Sequence, residues 1–204
     1  MKTVKVDAVK GGRPNIELTV RRVEPNVWKS MCFDKSHYLT SDLNKSCKCL
    51  LFEWEGVPVA FVGILNAPKK GLPFACSISR IVILPDYQGL GLSTKIFNFC
   101  GGIVRALSDD EHDYRVYIKT AHRKFGEALG RNKKVRATVY DKKGRTKESC
   151  DEGRYRNRLT RVSYCKEYIG EPIYGYEHLL RPIGEMRKDK EKKRSPMLFN
   201  FEDI

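Results

Sequence analysis

The chain has 204 residues, 41% of them hydrophobic and 31% charged, and a formal net charge of +14. That length buries a core in one domain without staples, and no apolar run approaches the roughly 20 residues that cross a bilayer. The opening residues hold no apolar signal-peptide core. The seven cysteines are odd in number and sit largely in apolar stretches, which predicts reduced thiols and a cytoplasmic protein with no membrane partner.

Residues 16–22 alternate loosely and predict a strand. Residues 26–31 predict one helical turn, and 33–44, polar and aromatic without a period, a loop. The apolar runs 49–54 and 58–65, split by Glu55-Gly56-Val57, predict a hairpin. Within this region Cys47-x-Cys49 is too tight and isolated for a zinc site, so no metal is expected. A Pro/Gly/Lys loop at 66–73 leads into a long strand at 75–84. Residues 94–107 place apolar side chains near helical spacing, with Gly101-Gly102 allowing close packing, and Ser108-Asp109-Asp110 ends the helix. Residues 114–120 alternate as a strand, with Val116 and Ile118 on one face. Residues 123–129 predict a short helix stopped at Gly130, and 135–140 and 161–169 two late strands. A basic insert at 141–159 separates them.

Charge is unevenly spread. Thirteen Lys or Arg fall between 131 and 166, and seven more between 181 and 194. A nucleotide-sized cofactor is too small to explain so many cations in two regions, so a polyanion is expected as partner, nucleic acid being the commonest and DNA favoured over RNA. The insert's Lys142, Lys143, Arg145, Arg154, Arg156 and Arg158 would hold phosphates, and Tyr140, Tyr155 and Tyr164 offer stacking faces.

The most informative stretch is Leu84-Pro85-Asp86-Tyr87-Gln88-Gly89-Leu90-Gly91-Leu92-Ser93, between the long strand and the long helix. Strand, glycine-rich turn and helix start form a layout that binds phosphate through backbone N–H groups and the helix dipole. No GKS or GKT follows, so it is not a P-loop, and the three-glycine dinucleotide pattern is absent. The remaining Gln-x-x-Gly-x-Ser resembles the pyrophosphate loop of the GNAT acyltransferases. Gln88 and Gly91 match it, and Ser93 is a small-residue departure. The order β-β-β-β-α-β-α-β-β over 16–169 agrees with that resemblance.

The resemblance implies an α/β (α+β) fold: a mixed central sheet of about six to seven strands, helices on both faces, and a V-shaped splay between the fourth and fifth strands. It implies a GNAT-like domain over 1–170 and a basic tail over 171–204. It further implies acetyl-CoA, or another acyl-CoA, on Ile81, Val82, Ile83 and Leu84 of the fourth strand and on Gln88, Gly89, Leu90, Gly91, Leu92 and Ser93 of the loop. Many family members carry a glutamate near Ser77 and a tyrosine in the short helix. Here the strand reads Ser77, Ser79, Arg80, and 122–129 hold no tyrosine. His37-Tyr38 and His122 are candidates to fill that gap. Glu53 and Glu127 are lesser ones that read as solvated face residues.

A second resemblance is to the Mom family, phage GNAT-like proteins that modify adenine in DNA. It is carried by His37-Tyr38 and Ser79-Arg80-Ile81-Val82-Ile83 and adds Ser79 and Arg80 to the catalytic candidates. Together the two resemblances imply acylation of an amine on nucleic acid or on a modified DNA base. The alternatives are an acetyltransferase for a protein or small-molecule amine, and a nucleic-acid-binding protein on an inactive GNAT fold.

Overall fold

The computed structural model describes the backbone of residues 2–6 and, in full, residues 16–36, 42–143 and 162–181. Eight strands form one sheet in the order β1-β2-β3-β4-β5-β6-β8-β7. They are β1 Lys2–Val6, β2 Ile16–Val23, β3 Lys48–Trp54, β4 Val57–Asn66, β5 Ala75–Ile83, β6 Arg115–Thr120, β7 Val135–Ala137 and β8 Tyr164–Tyr168. The expected count was short by β1, a brief charged strand at the sheet edge that pairs antiparallel with β2. The strand predicted as the fourth is therefore β5, and the fifth is β6.

Strands β1 to β5 are an antiparallel meander, and β5 and β6 are the one parallel pair. The parallel pair needs a crossover, supplied by helix α2, Leu92–Arg105. Helix α3, Arg123–Gly130, follows β6, and both helices pack on one face of the sheet around Phe52, Phe97, Phe99 and Ile118. The other face is covered near β2 to β4 by the four-residue helix α1, Val27–Ser30, whose Trp28 meets the Phe61 ring at 5.2 Å. Helices thus lie on both faces.

Helix α2 starts two residues earlier than its apolar period suggested. It is interrupted by no kink at Gly101-Gly102, because each glycine receives a neighbour. A Cβ on Gly101 would stand 2.4 Å from the Tyr168 ring, and one on Gly102 2.4 Å from Ile173. The second contact belongs to a segment expected to be tail. Ile173, Tyr176, Leu179 and Leu180 are buried against α2 and β2, Ile173 N–H donates to Gly102 C=O, and Arg22 donates to the Leu179 carbonyl. Packing therefore continues past 170 to Leu180, and 182–204 lie outside the described residues. Strand β7 stops at Ala137, where Thr138 turns to bond the Cys165 carbonyl and the chain reverses.

Candidate active site

The site forms where the sheet opens. Strand β5 pairs with β6 only from Ala75 to Ile78, the last rung being Ile78↔Ile118, yet β5 runs on to Ile83. On its other edge β5 stays paired with β4, with one slip: Gly63 faces Arg80 while Ile64 faces Ile78. Ser79 is the extra residue, a bulge that bends β5 away from β6. Among the described residues, no strand therefore neighbours the backbone from Ser79 to Ile83 on the β6 side.

A cleft of about 650 Å³ occupies this split. Ile78, Ile81, Leu92 and Phe125 line it on the side of α2 and α3. Ser36, Ser79, Val82 and Lys119 line it from the opposite side, so it runs through the sheet from face to face.

At its floor is the glycine loop. A 3-10 turn, Pro85–Tyr87, leads to Gly89 at φ +81° and Gly91 at φ +79°. A Cβ at either glycine would meet nothing within 4 Å, so the left-handed backbone, not crowding, demands glycine there. The Gln88 side chain donates from Nε2 to the Ile83 carbonyl at 2.9 Å and ties the loop to the end of β5. Helix α2 begins at Gly91 with no side-chain cap. Leu92, Ser93 and Thr94 of its first turn line the cleft, and the orphan N–H donors of a helix start suit an anion. All the residues expected to meet the cofactor line the cleft except two. Leu84 packs into the second core and donates its N–H to Val59, and Leu90 packs against the main core.

The catalytic candidates separate by what holds them. Ser79 donates its hydroxyl to the Gly63 carbonyl at 3.1 Å and lies 3.2 Å from Cys47 Sγ, so it fastens the bulge. Arg80 donates to the Ser79 carbonyl and, at 2.7 Å, to the Asp42 carbonyl, which pins the segment after α1 to the strand. His122 is the N-cap of α3. Its Nδ1 accepts the Phe125 N–H at 3.2 Å while its own N–H donates to Thr120. An Nδ1 used as acceptor leaves the ring proton on Nε2. His37 and Tyr38 lie outside the described residues, immediately beyond the cleft-lining Ser36. Glu127 is half-buried and pairs with Arg123 at 2.8 Å. Glu53 departs from expectation: it is 5% exposed and bound by both forks of Arg21, at 2.8 and 3.0 Å.

The described cysteines are free thiols. Burial pushes the Cys47 thiol up and the Cys49 thiol up to about 12, which leaves neither as a ready nucleophile. Of the basic insert, Lys142 and Lys143 are described and exposed; Arg145, Arg154, Arg156 and Arg158 are outside the described residues. The root of the insert is anchored by a buried ion pair, Lys166 Nζ to Asp141 Oδ2 at 2.6 Å. Asp141 also accepts the Cys165 N–H.

Sequence reasoning missed a second cluster. On the face opposite α2, Glu167 of β8 is 6% exposed and accepts from Arg115, from Arg136 and, at 3.3 Å, from the Tyr117 hydroxyl. Lys69 lies 4.3 Å over the Tyr117 ring. Burial, then the Glu167 charge, holds the Tyr117 phenol above its ordinary value. These residues come from β6, β7, β8 and a loop. The period-2 alternation of β6 was the one sequence signal that this face is polar.

A sheet split beside a bulge, with an uncapped glycine-led helix at its floor, makes a cleft suited to a ligand that has an anionic end and an extended arm. The family model of the acetyltransferase (GNAT) family matches residues 18–126, more than half of the chain. The chain belongs to the GNAT family and is an acetyltransferase of it. Solved structures agree at the level of fold. A GNAT acetyltransferase from Streptococcus pneumoniae is 16% identical, with a TM-score of 0.52, over 75% of this chain and 99% of that one. A spermidine N-acetyltransferase chimera of Vibrio cholerae SpeG and hSSAT is 12% identical, with a TM-score of 0.51, over 74% and 94%. A putative GNAT acetyltransferase from Desulfovibrio desulfuricans is 12% identical, with a TM-score of 0.51, over 75% and 99%. No curated protein sequence matches the chain. None of these comparisons carries the Mom resemblance. Among the described residues, no helix is long and apolar enough to cross a membrane.

Proposed function

We propose that the chain transfers an acetyl group from acetyl-CoA, the acyl donor of its family, to an amine borne by nucleic acid. The observation that carries the transferase half is the unpaired edge of β5 running into an uncapped helix start. Acetyl-CoA, when bound, supplies an acetyl thioester to the amine. The edge of β5 beyond Ile78, on the side away from β4, would hold the pantetheine arm as a strand holds its neighbour. The N–H groups after Gly91 would hold the pyrophosphate, and the exposed Lys124 on the cleft wall adds positive charge for the remaining phosphate. A strand N–H near the bulge would polarise the thioester carbonyl. In the transfer a C–N bond forms, the C–S bond breaks, the amine gives up a proton and the thiolate takes one. His122, with its ring proton on Nε2, is suited to donate a hydrogen bond to the leaving sulfur, while the proton lost by the amine is the one that the thiolate takes up.

Charge supports the acceptor half. A net of +14 repels a polyamine and attracts a polyanion. The second reading, a protein or small-molecule amine, is supported by a fold-mate named as a spermidine N-acetyltransferase. The test has two arms. Calorimetric titration of acetyl-CoA should show binding in the wild type that Gly91→Glu abolishes. Radiolabelled acetyl-CoA incubated with the protein and DNA, RNA or spermidine should label a nucleic acid. Label in spermidine alone would establish the second reading.

A further inference from the structure

The face of the sheet opposite α2 is divided. Over β2 to β4 it is sealed by α1, with Trp28, Phe33, Leu51 and Phe61 in one apolar cluster that includes no side chain of β6 or β8. Over β6, β7 and β8, among the described residues, no helix lies on it. The odd-numbered side chains of β6, namely Arg115, Tyr117 and Lys119, stand there beside Glu167 and Arg136, with Lys69 reaching over Tyr117. The ionisable groups there are four cations, the Tyr117 phenol and the Glu167 carboxylate, with the exposed Asp113 carboxylate 3.9 Å from Arg115 at the rim. Arg115 and Arg136 both bind the Glu167 carboxylate, at 2.6 Å each. Among the described residues, no carboxylate is within ion-pair distance of Lys69 or Lys119, and both are exposed.

This basic face begins where the cleft breaks through. Ser77↔Tyr117 is the rung next to the last pair before β5 and β6 part, and Lys119 lines the cleft itself. At the far end of β6, Thr120 pairs with Tyr164, the first residue of β8, so the root of the basic insert rises at the same rim. There Lys142 and Lys143 are exposed, as is Tyr140 at 68%. The cations thus form a track that starts at the opening and leads to the insert.

We infer that the helix-free face of β6–β8, through Lys69 and Lys119, is the surface that takes the acceptor, and that it takes it by its phosphodiester backbone. The inference rests on the reading of the acceptor as nucleic acid and says where that acceptor lies. A donor filling the α2 side of a through-cleft leaves the opposite mouth for the amine, and that mouth carries Lys119. Exposed lysines with no acidic partner are suited to phosphates at low desolvation cost. A polyamine would meet only repulsion here, and an acidic peptide would lack the regular charge spacing that a track of cations matches.

The test uses the full chain with fluorescein-labelled single-stranded DNA and RNA of about twenty nucleotides, by anisotropy across a salt series. Lys69→Glu/Lys119→Glu should bind at least about tenfold more weakly, with a log–log salt slope shallower by about 2. Lys69→Gln/Lys119→Gln should give a smaller loss in the same direction and stands in if the glutamate variant melts early. The nucleic acid with the higher affinity identifies DNA or RNA as the source. Unchanged affinity and slope in both variants, with wild-type binding intact, would overturn this inference and leave the nucleic-acid reading standing. No binding of either oligonucleotide by the wild type would overturn that reading itself. A poly-glutamate peptide binding as tightly as the oligonucleotides would overturn the phosphodiester assignment.

Discussion

The two wings of this sheet are built on opposite plans. In β3, Leu50, Leu51 and Phe52 are buried in succession, and β4 buries Val59 through Ile64 without a break. Both faces of that wing are covered, α2 on one side and α1 on the other. Strand β6 instead alternates, with Val116, Ile118 and Thr120 inside and Arg115, Tyr117 and Lys119 outside. Each wing has one buried glutamate on the same face of the sheet. Glu53 is closed off by a single bidentate arginine, while Glu167 gathers two arginines and a tyrosine at the edge of an open surface. Continuous burial marks the wing that holds the fold. Alternation marks the wing left free to meet something.

The covered wing should break first. Trp28 is 1% exposed and is the largest side chain that α1 contributes to its cluster. Trp28→Ala should lower the unfolding free energy by about 3–5 kcal/mol, since no neighbouring element can collapse into the gap of a four-residue helix. Urea denaturation checks it. A loss as small as that expected for an exposed residue would mean that α1 is not the seal, and the contrast between wings would fail.

At the opening between the wings, Gly91→Glu should weaken acetyl-CoA binding at least about a hundredfold, about 2.7 kcal/mol, by straining a left-handed residue and placing a carboxylate at the anion site. Calorimetry reads this directly. His122 sharpens the same boundary. Asparagine is as good an N-cap as any residue, whereas alanine loses about 1 kcal/mol. If the imidazole N–H holds the leaving sulfur during transfer, His122→Asn and His122→Ala should both lower kcat by about a hundredfold, and only the second should lower the melting temperature. A His122→Asn variant with wild-type kcat would reduce this residue to a cap.

How much of this was legible in the letters follows from range. The glycine loop was readable because positive φ is written in the residue type: Gly89 and Gly91 are needed whatever surrounds them. Helix α2 was readable from its period, although its start came two residues late, because Gly91 already carries the cap conformation. The split itself was not readable from residues. It depends on β5 and β6 parting after Ile78↔Ile118, a pairing between residues far apart in sequence. Glu53 looked solvated because its partner, Arg21, lies on another strand. The Glu167 cluster was invisible for the same reason, drawing on β6, β7 and β8 at once. The short, charged β1 lacked the apolar alternation that marks a half-buried strand. Within the segment expected as tail, Ile173, Tyr176 and Leu179 dock by contacts that local composition does not record.

The smallest expected effect tests the open wing most closely. Glu167→Gln removes one negative charge and leaves an amide of the same shape. Its Oε1 still accepts from one arginine, without charge assistance, but its Nε2 only donates and the bond to the other arginine is lost, so stability should fall by about 2 kcal/mol. The loss stays modest because the Arg115 and Arg136 side chains are 30% and 54% exposed and can be hydrated where they stand. The gain appears elsewhere. With Glu167 neutralised, the face holds four cations against one remaining carboxylate, Asp113 at its rim beside Arg115. Single-stranded oligonucleotide binding should therefore tighten about threefold at low salt, with a salt slope steeper by about 1. Tightening of binding by a destabilising substitution has no explanation in general loss of structure. An affinity that falls or stays level in a folded Glu167→Gln protein would move the nucleic acid off this face.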